Sequence, residues 1–552
     1  MRARDRGAAL LLVFFMAIVF FILVGSMIDL AYMEFHAAGS SAQSSQALTA
    51  AYAGIDKQIL TIEEFYVNGT AQGTPGNAPP YLFPNESGGT QQSGYNAEIT
   101  QTFDDTRSGI RYFLIHSDGF VQDGLGVRLD KQLSALVRQV PFGQYSQFTA
   151  NEVSNTGGDI WYTNPQSYQG LVYSGGPMHI MYTPGYTTPI FPLGFQTAAK
   201  PNYVNAATGA NGYPSPANVG AVFGGGAQAE CCQQQQLPGM SQNLVVFSEA
   251  FNGDDAHNDI NTFTTETQSL APGVYVNGQI PGGGNNVPLQ TGIFIEGDAD
   301  LSASAPQGSN TETFTFGPPS APDKTGLPLT STTVVAIDFS TNQTTVTENG
   351  STTTYNGVPS GEATVESGGN GAIFENGSVT VEPNSVVHGQ YTVALPDPPT
   401  DDQTMTLQGS IVYQTEPNPA QDIMSNDELA LWANDIILND QSNGSIEIDG
   451  MMMTGFVNEC GSGACKDGAF YNAGCKATVC DGGIGPDITL FGGLIENIRG
   501  KLGEVDANGD VVGGFLRTAI YDPRLGADPP PFSPTTNDYN VVAITDDDPL
   551  AL

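Results

Sequence analysis

The sequence predicts a mainly β protein carried on one long N-terminal α-helix, with a small α+β head followed by an irregular parallel β-helix or solenoid. Three observations predict it. The chain opens on an uncharged apolar run from Gly7 to Ile28. It is rich in turn residues, with 67 Gly and 36 Pro among 552 residues, and only 13% of it is charged. Its later two thirds are punctuated by apolar triplets bounded by Gly, Asn or Asp, a texture that suits a turn-rich β array.

The helix comes first. Arg2, Arg4 and Arg6 precede the apolar run and Asp29 and Glu34 follow it. At ~1.5 Å per residue the run makes a helix of about 33 Å, enough to cross a bilayer core. Cleavage by signal peptidase needs a shorter apolar core with a small-residue site just after it. Ala37-Ala38-Gly39 lies too far beyond, so the segment predicts a retained span. The basic side of the span places the N-terminus inside and the rest of the chain outside. No proline occurs before Pro75. Leu48, Ala51, Ile55, Ile59 and Ile62 recur at helical spacing, so the helix extends from about Ala8 to Phe65 and its later stripe lies on a sheet of the same chain.

The head follows. Pro75 to Gly94 reads as a loop. Tyr95–Phe103 and Ile110–His116 alternate like two strands, joined through Asp104, Asp105 and Ser108. Arg128–Val140 reads as a short helix with Leu129, Leu133, Leu136 and Val137 on one face. The expected division is 1–66 for the transmembrane and amphipathic helix and 67–156 for the head. Solenoid parts at 157–310 and 371–552 flank a Thr/Ser/Gly-rich insertion at 311–370. Segments such as Gly292–Gly297, Gly371–Phe374, Gly409–Tyr413, Ser445–Gly450 and Thr489–Ile495 are too short to bury a face alone. Stacking them in a parallel coil buries a continuous core. No strict period is visible, and a β-sandwich is the competing architecture.

The N-terminal residues carry a resemblance. Arg6-Gly7-Ala8-Ala9-Leu10, and Gln46-Ala47-Leu48-Thr49-Ala50-Ala51-Tyr52-Ala53-Gly54-Ile55 further on, resemble the PilX-type N-terminus of type IV pilus assembly proteins. The resemblance implies a pilin-like head and prepilin-peptidase processing after Gly7, with Ala8 as the new N-terminus. Two positions depart from the pattern. Leu12 stands where main pilins carry Glu at the fifth mature position, and Tyr52 stands where the second motif has Glu. A minor or accessory subunit is therefore implied. Thr489–Ile495, Ile498–Gly503, Tyr521–Leu525 and Pro530–Pro534, with Gly158–Tyr162 and Gly170–Ser174, are similar to an uncharacterised bacterial envelope family that follows such an N-terminus with a β-rich body. That second resemblance bears on architecture and location only.

Candidate sites are few. Cys460, Cys465, Cys475 and Cys480 form a symmetric C-x4-C-x9-C-x4-C cluster. It suits either two disulfides closing a Gly-rich loop in an oxidising compartment or a four-thiolate zinc. Cys231 and Cys232 are adjacent, and each is a candidate for pairing elsewhere or with the other. Asp506–Asp510 resembles a calcium loop, but its Gly509 is misplaced and Arg517 stands where the last ligand belongs. An Asn-Gly hairpin between Leu502–Val505 and Val511–Phe515 is expected instead. Asp254, Asp255, His257 and Asp259 are a weak divalent-ion candidate.

No nucleophile, zinc-protease or phosphate-loop motif occurs, so no catalytic residue, cofactor or metal is expected and the chain is read as a non-enzyme. The formal charge of -40, from 17 basic and 57 acidic residues, excludes nucleic-acid binding and suits an exported soluble body. The functional expectation is a membrane-anchored, pilin-like envelope protein, a minor or accessory component of a type IV pilus or related secretion filament. Its partners would be the membrane, other pilin-like subunits and the assembly machinery. It would sit in the inner membrane as a single pass with its body periplasmic or at the cell surface. The alternatives are a surface adhesin that holds glycans on Tyr, Trp161 and Asn side chains, and a β-helix carbohydrate-active enzyme built on paired carboxylates.

Overall fold

The computed structural model describes residues 3–67, 75–84, 92–104, 110–122, 126–154, 159–164, 166–223, 271–276, 292–320, 327–360, 371–395, 403–417, 425–439, 444–455, 468–475, 480, 484–506, 511–531, 533 and 535–546. Over these the chain is mostly β with one long N-terminal helix. It divides into two compact units. One comprises Met1–Phe103, Tyr112–Arg138 and Tyr539–Leu552, the other Asp104–Arg111 and Gln139–Asp538.

In the first unit the helix α1 runs over Ala3–Val67. Its later half packs on a five-stranded sheet in the order β1 (Tyr81–Leu82), β2 (Gln92–Asp104), β3 (Arg111–Gln122), β4 (Arg128–Pro141), β5 (Thr535–Asp546). The predicted stripe is the contact face: Ala51, Ile55 and Ile62 are buried with Phe113, Ile115, Leu133, Ala135, Val137 and Tyr539, and Leu48 and Ile59 pack alongside. The fit is close because the facing residues are small. A Cβ on Gly119 of β3 would fall on the backbone of Ala47 and Ala51, and one on Gly54 would fall on the Ser117 side chain. The Ala47–Gly54 motif is thus the stripe along which the helix touches the sheet, and Tyr52 stands on the opposite side, 43% exposed. Buried Gln58 pins the chain beyond the helix by donating to the Gly76 carbonyl (3.0 Å) and accepting from the Ala78 amide (2.6 Å).

One expected element is corrected. Arg128–Val140 is strand β4, not a helix, paired antiparallel with β3 from Tyr112↔Arg138 to Gln122↔Arg128. Leu133, Ala135 and Val137 alternate into the core. The small Ala135 conceals that period of two, and pairing along the whole of β3 overrides the accidental helical spacing of the leucines.

In the second unit the apolar triplets form three parallel ladders that the chain visits in turn. In the first ladder Phe294 lies beside Phe374, then Ala394, Trp432, Met453, Ile495, Phe148 and Tyr173 in successive strands. The second aligns Leu301, Val381, Leu407, Leu438 and Asn472. The third aligns Ile411, Ile448, Leu490, Ala519 and Tyr168. Their inward residues share one core, among them Ile373, Val393, Leu431, Met452 and Leu494 with Val381, Leu407 and Ile448. The other face of the first ladder is buried too, around Trp432, Phe148 and Leu525.

Glycines turn the corner between third and first ladders. Gly450 and Gly492 have φ of +128° and +145°, and a Cβ on Gly492 would overlap the backbone of Gly450 in the turn beneath it. Only glycine serves both needs. Within the Thr/Ser/Gly-rich insertion expected at 311–370, the strands Thr311–Gly317, Thr333–Asp338, Gln343–Glu348 and Ser351–Asn356 form an antiparallel meander that continues Ala299–Ser304 outward from the second ladder.

The order of the ladders departs from the order of the chain. Tyr145–Ser154, where the body begins, pairs with Ile484–Arg499, near its end. Leu171–Ser174 and Gln196–Thr197 stack onward from Tyr145–Ser154, while the turns from Ile293 to Thr454 stack on the other side of Ile484–Arg499. A seam between the first and last turns therefore lies inside the stack.

Candidate functional site

Two features stand apart from ordinary packing: the exposed apolar stretch Phe14–Phe35 of α1 and a cleft at the seam. Along α1, Phe14, Phe15, Phe20, Phe21, Met27, Met33 and Phe35 are each more than 60% exposed. Among the described residues this is the one helix long and apolar enough to cross a membrane. Apolar surface on that scale on a protein rimmed by acidic residues calls for lipid or other helices around it. Gly7 and Ala8 lie in the same helix, near its start.

The seam produces the cleft. The second ladder stops at Phe470–Asn472, and a separate parallel set begins at Trp161–Thr163. Between them the chain after Arg499 makes no strand of that ladder. Lys501 and Leu502 meet Asn472 through single hydrogen bonds, and Gly503–Val505 then pairs antiparallel with the strand Val511–Ile520. The two strands of the hairpin expected there are thus paired, and its Asn508-Gly509 turn lies outside the described residues. The interrupted ladder leaves a cleft of about 200 Å³.

Its walls are cationic and aromatic. Arg499, Lys501 and Arg517 line it with Trp161 and Tyr168, and Asp159 and Glu504 are the carboxylates among its lining residues. Arg499 and Arg517 are almost wholly buried. Tyr168 Oη accepts from both guanidinium groups, at 3.4 Å from Arg499 Nη2 and 2.7 Å from Arg517 Nη2, and its hydroxyl points to Gln166 Oε1 at 3.5 Å. Arg517 also stacks over the Tyr168 ring at 4.8 Å, and Arg499 over Tyr162 at 4.9 Å, contacts suited to a planar, weakly hydrated cation.

The two arginines differ in their charge partners. Arg499 Nη1 donates to Glu496 Oε2 at 3.2 Å, and Glu152 lies 4.0 Å from its Nε. Burial pushes the Glu152 carboxyl up, against the pull of Arg499 and a hydrogen bond from Ser174. Burial pulls Arg499 down, but Tyr162, Tyr168 and the carboxylates more than reverse it, so it stays charged. Arg517 has no carboxylate within ion-pair distance among the described residues.

No protein-family model matches the chain, and no curated protein matches it. Among solved structures the similarity is loose. The competence-associated pilin ComZ from Thermus thermophilus is 13% identical, aligned over 92% of this chain and 98% of its own, with a TM-score of 0.27. A score that low does not establish a common fold.

The cysteines expected to act together are only partly described. Cys475 and Cys480 are joined by a disulfide and form an isolated antiparallel bridge, which commits two of the four thiolates of the cluster to each other. Cys460, Cys465, Cys231 and Cys232 lie outside the described residues, as do Asp254, Asp255, His257 and Asp259. The structure brings together a carboxylate trio that sequence reading did not single out, Glu416, Glu447 and Asp449, whose nearest oxygens lie within 4.8 Å of one another. Burial pushes Asp449 up to about 8, so near neutral pH it shares the trio as a neutral acid. The cleft residues Arg499, Lys501, Tyr168 and Arg517 were missed as a site. Their one sequence signal is scarcity: three of only 17 basic residues fall within a short stretch of an acidic chain.

Proposed function

We propose that the chain is a pilin-like envelope subunit, minor or accessory in a type IV pilus or related secretion filament, without catalytic activity. The observation that carries this reading is the division of α1. Between Phe14 and Phe35 its described apolar side chains are exposed, and its second half docks through Ala47, Ala51 and Gly54 on the sheet of the head. Such a helix lies in the bilayer before assembly and among other such helices after it. The PilX-type residues Arg6–Leu10 and Ala47–Gly54 support the same reading, and Leu12 in place of Glu favours a minor subunit. The arginines before the span put the N-terminus inside and the body on the far side of the inner membrane. The parallel ladders with glycine corners support an irregular β-solenoid as the exported body.

The test is processing and assembly together. Gly7→Val in the full-length chain is expected to abolish a mobility shift produced by a prepilin peptidase and to remove the protein from sheared filaments. A chain of unchanged mobility in the presence and absence of the peptidase would remove the processing step. A processed chain never recovered with filament subunits would remove the filament role.

A further inference from the structure

The seam cleft has no part in the membrane reading, yet it is built as a binding site. The body carries a large excess of acid, and burying a cation costs more than leaving it on the surface unless something compensates. Arg499 is compensated by Glu496. Lys501 lies 4.0 Å from Glu504. Arg517, 3% exposed, holds only the hydroxyl and ring of Tyr168 among the described residues, and it is one of the residues lining the cleft. Among the described residues one positive charge is left without a carboxylate, held flat by an aromatic ring and oriented by a hydroxyl that is itself fixed by Arg499 and Gln166. A guanidinium so held presents its remaining donors as a fork, the geometry that takes a carboxylate in two parallel hydrogen bonds.

The rest of the lining narrows the ligand. Trp161 supplies an aromatic wall, steadied edge-on by His179 with ring centres 5.2 Å apart. Asp159 and Glu504 supply acceptors for hydroxyl groups. They also make a multiply charged anion a poor fit, because two carboxylates would face it across a small space. At about 200 Å³ the cleft is smaller than the ~300–1,000 Å³ of sites for drug-sized ligands, which suits a single ring. We propose that the cleft binds a singly charged sugar acid of the uronate class, its carboxylate on Arg517, its ring against Trp161 and its hydroxyls on Asp159 and Glu504. This gives the glycan-binding alternative a specific site and chemistry, and it stands whether or not α1 enters a filament.

The chain has two tryptophans. Trp161 lines the cleft and Trp432 is fully buried in the body, so a ligand in the cleft alters the emission of the first while the second reports that the body is folded. The full-length protein in detergent micelles is titrated with galacturonate, galactose, acetate and inorganic phosphate. Galacturonate is expected to give a saturable change that added salt weakens, with galactose and acetate each at least about tenfold weaker. Arg517→Gln is expected to lower galacturonate affinity about tenfold or more, the loss of a charge-assisted pair, with Trp432 emission retained. If that variant misfolds, Lys501→Gln, at a half-buried loop position, is expected to lower affinity several-fold by calorimetry. A free acid is told from a chain end by comparing galacturonate with its trimer, which binds more tightly only if chain ends are the natural ligand. The proposal is overturned by no saturable response to galacturonate, by galactose or phosphate binding as tightly, or by unchanged affinity in a folded Arg517→Gln or Lys501→Gln protein.

Discussion

Adding one methyl group at Gly119 tests how the helix is held on the head. Gly119 lies in β3 outside the left-handed region, so alanine there brings no backbone strain. The whole effect is steric. A Cβ at that position would sit 2.8 Å from Ala51 Cα and closer still to the Ala47 carbonyl oxygen and the Ala51 nitrogen, whereas carbon atoms pack at ~3.5–4.0 Å. The obstacle is helix backbone on all three sides, which has no rotamer with which to move aside. Helix α1 must therefore lift by about 1 Å, and the contacts of Ile55 and Ile62 with Phe113 and Ile115 loosen with it. Overpacking of this kind costs ~1–3 kcal/mol, and alanine recovers ~0.5–1 kcal/mol of the glycine's chain entropy, leaving about 1.25 kcal/mol at the midpoints of the two ranges. Hydrogen exchange on the full-length protein in micelles reads this directly. Peptides from the docked part of α1 should exchange about eightfold faster in Gly119→Ala, while peptides from Ile446–Thr454 in the other unit stay unchanged. Equal protection of the docked helix in both proteins would show that the small-residue stripe does not hold it.

Two further outcomes follow from the body. Trp432→Ala should lower its stability by ~3–5 kcal/mol, because Trp432 is fully buried between Ala394 and Met453 in the first ladder; a denaturant midpoint within error of the native protein would contradict that stack. Stability should also fall as pH rises above the ordinary carboxylate range, with Asp449→Asn flattening the part of the decline that runs up to about pH 8, measured by urea midpoints across pH. A carboxyl raised in the folded state contributes stability that is full below its unfolded value and lost as pH climbs through its folded one, at up to ~1.4 kcal/mol per pH unit for one proton.

What the sequence made legible is local. The helical stripe from Leu48 to Ile62 is a five-residue pattern at one period, and the structure buries or half-buries every member of it. The Gly-bounded triplets are strands because Gly450 and Gly492 must turn tightly against the chain beneath, a demand visible in one residue. What stayed hidden is non-local. Nothing in Tyr145–Ser154 announces that it pairs with Ile484–Arg499, since a parallel ladder leaves no signature of which strand comes next. The cleft depends on that pairing, because it brings Trp161 and Tyr168 to Arg499 and Arg517 from opposite ends of the body. Arg128–Pro141 shows the converse failure, in which a local helical spacing was real but β3 decided the outcome.

The charge economy of the body links the pH dependence to the cleft. With 57 acids and 17 bases, the interior lacks cations for all its carboxylates. Asp522 has Arg524 at 2.6 Å and Glu496 has Arg499 at 3.2 Å. Glu312, Glu375 and Asp449 have no ion-pair partner among the described residues. Burial pushes all three up, helped at Glu375 by Asp298 and Asp300. A neutral acid is then the form that fits, as desolvation requires of an unpaired buried carboxyl. In an interior so short of positive charge, an arginine placed against a tyrosine rather than against one of these carboxyls is the costly arrangement. Packing alone would be served as well by an apolar side chain in its place. Arg517 is in that position, and an acid supplied from outside the chain is the partner that completes it.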